Sequence, residues 1–340
     1  MKIKISKILF YAFILPCVLA IMFGAGLFIY AKTPIDAAKV KTVLVDIPTG
    51  ASFIKVTKIL RDAGLVKSSL LFYGLVGVKW GTRSIRAGEY EFATSLSPSE
   101  LVDKLIRGDI KNYRVTIHED YSLKEVAARL KEYKLIDEKA FFELAEDEVF
   151  LSSLEVQGSS IEGYLFPDTY FLNRSMSTKQ IMRMMVDRFW SKISPEMINK
   201  AAKKGLDTHQ FVTFASLVGK ESGSSAEKPM IAAVFYNRLK KRMPLQSDPT
   251  AVYDLKNFNG KVLRSHYKRE SPYNTYIIKG LPPGHIANPG LDSFRAILNP
   301  AEVDYLYFVS RKDGTHFFSS SLNAHNNAVL RFRNVTNGSE

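Results

Sequence analysis

From Ile8 to Ala31 the chain carries no charged residue, and that run leaves the N-terminus little structural choice. As a helix it rises about 36 Å at ~1.5 Å per residue, enough to cross a hydrocarbon core of about 30 Å. Lys2, Lys4 and Lys7 precede it, so the positive-inside rule keeps the N-terminus in the cytoplasm and exports the rest of the chain. A cleaved signal peptide competes, but the run is long for one and lacks a clear small-x-small exit. Pro16 precedes Cys17 and the apolar run continues past it, which argues against lipidation there. The expectation is a single-pass anchor over residues 1–31, a linker over 32–42, and an extracytoplasmic remainder.

That placement decides how the charge is read. The net charge of +13 is spread along the chain rather than gathered in one tract. Outside the cytoplasm it favours anionic lipid or an anionic wall polymer over nucleic acid. The single cysteine excludes an intramolecular disulfide and a cysteine-rich metal site. No HExxH spacing, phosphate loop or dinucleotide glycine motif occurs, so neither metal nor cofactor is expected. A length of 340 residues suggests two or three domains.

The exported part repeats itself. Val45–Ser52 leads into a helical pattern at Val56, Ile59 and Leu60, then Gly64–Val66 and Phe72. Val115–Ser122 is followed in the same way by Val126, Leu130, Lys134–Ile136 and Phe142. The second half of the pattern recurs as well: Gly88–Phe92 with a helix after Ser97, and Tyr164–Tyr170 with a helix after Ser177. Each copy predicts strand, helix, helix, strand, helix, with the serines as N-caps. The units are set at 43–110 and 111–194. Units of this kind bind, position or simply scaffold.

The region 195–340 differs in composition. Helical patterns run to about 240, with Pro229 suited to a first turn. A tract dense in Pro, Gly, Asn and Tyr follows from 244 to 300, expected as a long ordered loop. Val303–Val309 reads as a buried strand, then a turn at Lys312–Gly314, a short strand from His316 and a last helix near Asn323. Within the first helices, Phe211, Phe214, Leu217 and Val218 form an apolar stripe that ends at Glu221. A carboxyl held among apolar neighbours has a raised pKa and donates a proton near neutral pH. A helix-end Glu that swings out to solvent is the plainer alternative.

Four segments surround this question: Lys220–Ser222, Leu245–Thr250, Ser271–Tyr276 and Leu281–Gly290. Their amides, hydroxyls and aromatic faces on stiff turns suit a neutral, hydroxyl-rich ligand such as a sugar. Self-satisfied loops would use the same residues.

Taken in order, these strings resemble the YceG-like family of endolytic murein transglycosylases. So do Ser160–Tyr170 and Phe317–Asn326, and the likeness covers nearly the whole chain. The resemblance implies that Glu221 is the catalytic acid and that the first repeat is LysM-like. It also implies a single-pass protein of the bacterial cytoplasmic (inner) membrane, with peptidoglycan glycan strands as substrate and peptidoglycan synthases as partners. Residues expected to bind substrate are Ser222, Gln246, Asp248, Thr250, Tyr273, Asn274, Thr275 and Glu162, the last balanced against a structural role. One departure stands out: the family usually carries a second Glu two positions before Glu221, where this chain has Gly219. That weighs against a mechanism with two carboxylates on this helix, and it admits an alternative, an inactive tethered peptidoglycan-binding protein or synthase regulator. The fold class expected is α+β: an anchor helix, two αβ units, then a mainly helical region with a small sheet.

Overall fold

The computed structural model describes residues 2–37, 40–79, 85–256 and 258–334, with side chains from residue 12 to residue 332 in the first and last helices. The described chain is α+β and mostly helical, and it divides into two compact units, Met1–Tyr113 with Asn173–Ser175, and Arg114–Leu172 with Met176–Glu340.

The first unit opens with helix α1 (Lys2–Lys32). Its stretch Ala12–Lys32 is long and apolar enough to cross a bilayer. The segment after it is tied down rather than a free linker: the N–H groups of Ile35 and Asp36 donate to the carbonyls of Leu96 and Thr94, at 3.3 and 2.8 Å. Strand β1 (Thr42–Ile47), helices α2 (Phe53–Asp62) and α3 (Ser69–Lys79), strand β2 (Gly88–Ala93) and helix α4 (Pro98–Arg107) follow. β1 pairs antiparallel with β2, Thr42 opposite Ala93 and Ile47 opposite Gly88. Val56, Leu60, Phe72, Tyr90, Phe92 and Leu101 are fully buried between this ribbon and its helices.

The segment expected as a second copy has that order with one helix more: β3 (Tyr113–Thr116), α5 (Leu123–Glu132), α6 (Glu138–Ala145), α7 (Glu148–Ser152), β4 (Thr169–Leu172) and α8 (Thr178–Lys192), with β3 beside β4. The caps fall where local sequence put them. Ser52, Ser97, Ser122 and Ser177 each accept an N–H from the first turn of their helix, and the last three complete capping boxes with Glu100, Glu125 and Gln180.

The remaining elements belong to the second unit: α9 (Pro195–Lys203), α10 (Thr208–Glu221), α11 (Lys228–Lys240), α12 (Asp248–Val252), α13 (Leu291–Leu298), β5 (Tyr307–Ser310), β6 (His316–Ser319) and α14 (Leu322–Asn334). α10 is its axis. Every residue from Phe211 to Gly219 is buried, not one stripe alone, because α9, α11, α12 and α13 all pack on it. The Phe211 ring meets Phe294 edge-on at 5.1 Å, and Phe214 meets Tyr236 at 4.8 Å.

Two expectations needed correction. The tract 244–300 contains α12 and α13; both are short, and α13 starts directly after the turn-like pair Pro289 and Gly290. The strand expected over 303–309 is shorter and only half-buried, since its first residues pair with side chains instead of a strand. Asn237 Nδ2 donates to the carbonyls of Val303 (2.9 Å) and Tyr305 (3.0 Å), and Arg238 Nε to that of Leu306 (2.6 Å).

Candidate active site

Glu221 is the last residue of α10, a helix started by an Asp207–Gln210 capping box and ended at Ser222, whose N–H returns to the Gly219 carbonyl. The buried helix therefore delivers one carboxyl to its end and no further. Glu221 is partly buried, and Ser247 Oγ donates to its Oε1 at 2.5 Å. Burial pushes the carboxyl up to about 7, and the nearby Asp248 carboxylate adds to the rise. The Ser247 hydroxyl, the Asp248 N–H and the Arg238 guanidinium oppose it. At neutral pH such a group holds and releases a proton with comparable ease, as a general acid and base requires.

Ser247 was not singled out from sequence, although it stands between two residues that were. Its position is fixed by the turn that begins α12. The Ser247 N–H donates to Thr275 Oγ1 (2.9 Å), Thr250 Oγ1 donates to the Ser247 carbonyl (2.6 Å), and the Thr275 N–H donates to Thr250 Oγ1 (3.1 Å). Thr250, Asn274 and Thr275 are wholly buried. Asn274 Nδ2 holds the carbonyls of His266, Tyr267 and Arg269. These three side chains build the loop that presents Ser247.

Gln246 and Asp248, by contrast, are exposed on either side of Ser247. Gln246 has its backbone in the left-handed region (φ 54°) and its Oε1 accepts from Arg238 Nη1 at 3.0 Å. Asp248 accepts the hydroxyls of Tyr276 (2.5 Å) and Tyr267 (3.3 Å). Ser222 turns its hydroxyl back onto the Ser224 carbonyl.

A cavity of about 1070 Å³ lies beside this group, lined among others by Glu162, Lys220, Asp248, Tyr253 and Tyr273. Glu221 is not among the lining residues; Lys220 and Asp248 are what connect it to this space. The rings of Tyr253 and Tyr273 lie 4.8 Å apart in the wall.

Glu162 stands at the cavity wall and is also bonded into the fold. It lines the cavity, yet it is 3% exposed and bonded to three separate segments. The Leu123 N–H (2.6 Å) and Asn288 Nδ2 (3.3 Å) donate to its Oε1, and the Tyr253 hydroxyl (2.8 Å) donates to Oε2. Burial raises it to about 7 against those donors. Among the described residues no group of three or more His, Cys, Asp or Glu could hold a metal ion.

His285 and His316 are held by neighbouring groups within the fold. His285 is buried with Nδ1 3.0 Å from Thr213 Oγ1, and burial lowers it to about 3, so its ring is neutral. His316 donates its backbone N–H to Glu227 (2.9 Å) and sets its ring against the same carboxylate (2.7 Å).

Comparison with known proteins places this geometry. Residues 45–331 match the YceG-like family. The chain is 32% identical to an endolytic murein transglycosylase of Bacillus subtilis (strain 168) over 90% of both chains. It is 30% identical to one from Streptococcus pneumoniae serotype 2, covering 93% of this chain and 64% of that one. The crystal structure of a YceG-like protein from Listeria monocytogenes matches with a TM-score of 0.60 and 32% identity, covering 84% of this chain and 98% of that chain.

Proposed function

This chain belongs to the YceG-like family, and from that premise we propose that it is an endolytic lytic transglycosylase of peptidoglycan with Glu221 as its acid and base. The observation that carries the reading is one carboxyl, raised to about 7 by burial and met by a single side-chain hydroxyl, at the end of a buried helix.

Ordinary glycoside hydrolysis uses two carboxylates. A lytic cleavage needs one. Protonated Glu221 donates to the oxygen between N-acetylmuramic acid and N-acetylglucosamine. The carboxylate so formed takes the proton from the muramoyl carbon-6 hydroxyl as that oxygen closes on carbon 1, leaving a 1,6-anhydromuramoyl end. The nucleophile is part of the substrate, so orientation replaces a second catalytic group. Asp248 and Gln246, exposed beside Ser247, are placed to face the positive charge that develops on the sugar ring. Tyr273 offers its ring, and Glu162 its edge, to a glycan in the cavity. Thr250, Asn274 and Thr275 act by holding the Ser247 loop in place, and Ser222 by ending α10 after Glu221.

Cleavage of nascent strands near the membrane is expected if α1 anchors the protein with its N-terminus in the cytoplasm. The first unit, read as LysM-like, then stands beside the inner membrane, in reach of peptidoglycan synthases. The test is digestion of purified glycan strands by the protein and by Glu221→Gln, read by mass spectrometry. Ends lighter by one water than hydrolysed ends, made only with Glu221, support the reading. Water-added ends make it a hydrolase with Asp248 as second carboxylate, and binding without cleavage makes it the tethered binding protein.

A further inference from the structure

Helix α3 is apolar along its whole length, yet buries only Phe72, Leu75 and Val76 in the first unit. Leu70 is 71% exposed and Val78 78%, and Tyr73 is also open. At the start of α2, Ile54 adds 69% exposure, while its neighbour Phe53 sets its ring on Phe72 and Tyr73. A helix that is apolar all round and only half covered by protein needs another cover.

Its position relative to α1 identifies the cover. Phe23 and Leu27 carbons lie 3.4 and 3.5 Å from where a Cβ on Gly74 would stand, so the absence of a side chain there lets the two helices touch. Above that contact, Tyr30 Oη donates to the Ser68 carbonyl at 3.4 Å, and Ala31 joins the core of the unit. Phe23 precedes Lys32, the end of the apolar stretch, by about 13 Å at ~1.5 Å per residue. If Lys32 marks the water boundary, the Gly74 contact lies inside the hydrocarbon. An 11-residue helix, about 16 Å long, cannot cross the bilayer and has its backbone hydrogen bonds satisfied within itself. Lys79 closes its far end on Asp103 (2.7 Å) and the Ser99 carbonyl (3.2 Å), and the exposed Lys55 and Lys67 are cations of the kind that anionic headgroups attract.

We propose that α3 is a second membrane contact, an interfacial helix whose Leu70, Tyr73 and Val78 face, with Ile54, lies in the leaflet around the exit of α1. The first unit is thereby sunk into the bilayer surface rather than tethered above it. This rests on the reading of α1 as a span, and the experiment tests the two separately.

The full chain carrying Cys17→Ser, which removes its one cysteine, receives single cysteines at Leu70, Val78, Phe28 or Glu91. Each is labelled with an environment-sensitive fluorophore and reconstituted into vesicles of phosphatidylethanolamine and phosphatidylglycerol. Phe28, 67% exposed on α1, reports the span, and the exposed Glu91 on β2 reports water. The expected result is quenching of Leu70→Cys and Val78→Cys by acyl-chain nitroxide to the extent seen for Phe28→Cys. Their iodide quenching should be several-fold below that of Glu91→Cys. Iodide quenching at 70 and 78 equal to that at 91, with 28 in lipid, overturns the proposal and leaves the anchor intact. Shielding of 70 and 78 from both quenchers also overturns it, since the face is then covered by protein. Exposure of 28 to iodide removes the span reading and the proposal with it.

Discussion

Replacing Gly219 by alanine should destabilise this protein, and the same change should stabilise it once Asp120 is glycine. A Cβ at 219 would lie 1.8 Å from Asp120 Oδ1 and 2.6 Å from its Cγ, far inside contact distance. The aspartate has little room to yield. Its backbone is left-handed (φ 64°), its N–H is bound to the Asn288 carbonyl at 2.9 Å, and Lys228 Nζ stands 3.9 Å from Oδ2. Overpacking of this kind costs about 1–3 kcal/mol, while Gly to Ala in a helix interior returns about 1 kcal/mol. Gly219→Ala should therefore lose up to about 2 kcal/mol.

Asp120→Gly changes the sign. It removes the collision, a left-handed non-glycine residue, and a buried Oδ1 that has no hydrogen-bond partner. Lys228 keeps Glu119 at 3.0 Å. In that background Gly219→Ala gains about 1 kcal/mol from helix propensity, so the coupling between the sites is about 1–3 kcal/mol. The assay is thermal and urea unfolding of the full chain and the three variants, where ~1 kcal/mol shifts Tm by about 2–4 °C for 150–250 residues. A Gly219→Ala effect of equal sign and size in both backgrounds would refute the reasoning. The reciprocal pair Asp120→Gly with Gly219→Glu should fold where Gly219→Glu alone does not, because a carboxylate delivered from α10 would then fill the place of one delivered from residue 120.

Glu221→Gln should cut glycan cleavage by about 10²–10⁴-fold, the usual share of general acid–base catalysis, and should raise Tm at pH 7 or above, where the buried carboxyl otherwise costs stability. Ser247→Ala removes a hydrogen bond to the charged form, so the alkaline limb of the activity profile, set by Glu221, should move to higher pH. Stability should fall as pH rises from 4.5 to about 7, because the unfolded chain ionises Glu162 and Glu221 there while the folded chain keeps them neutral. At ~1.4 kcal/mol per unit that is about 3 kcal/mol for each, so Glu162→Gln should remove about half of the fall over the window. Asn274→Ala, which frees three carbonyls, should cost about 1–3 kcal/mol and lower cleavage by misplacing Ser247.

Features set by near neighbours in sequence were the legible ones. The N-caps at Ser52, Ser97, Ser122 and Ser177 need only a hydroxyl and the next three residues. The stripe ending at Glu221 needs only the helical period. The features that could not be read depend on partners far along the chain. Gly219 reads in sequence only as a missing second Glu, whereas its missing side chain is the seat of Asp120. Asn274 and Thr275 looked like ligand-facing polar residues because nothing in a sequence says which polar groups are turned inward. Helix α13 was hidden by the Pro289–Gly290 pair, which serves as its start and not as a break, with Gly290 at the N-cap.

Two of the raised carboxyls, Glu162 and Glu221, show why a perturbed pKa alone does not mark the acid. Glu162 and Glu221 are both driven up to about 7 by burial. Glu162 is nearly sealed and accepts from a backbone N–H, an amide and a phenol, each on a different segment. To give up a proton to a sugar it would have to break the contacts that join α5, the Tyr253 turn and the Asn288 loop. Glu221 is reachable, and its side-chain partner is the hydroxyl of Ser247, which can donate to the carboxylate or turn away from the acid. A group that must exist in both protonation states within one turnover needs a partner indifferent to which is present. Ser247 is such a partner and the set around Glu162 is not, so the acid–base role we propose belongs at the end of α10, and the bonds of Glu162 fit a part in holding the wall.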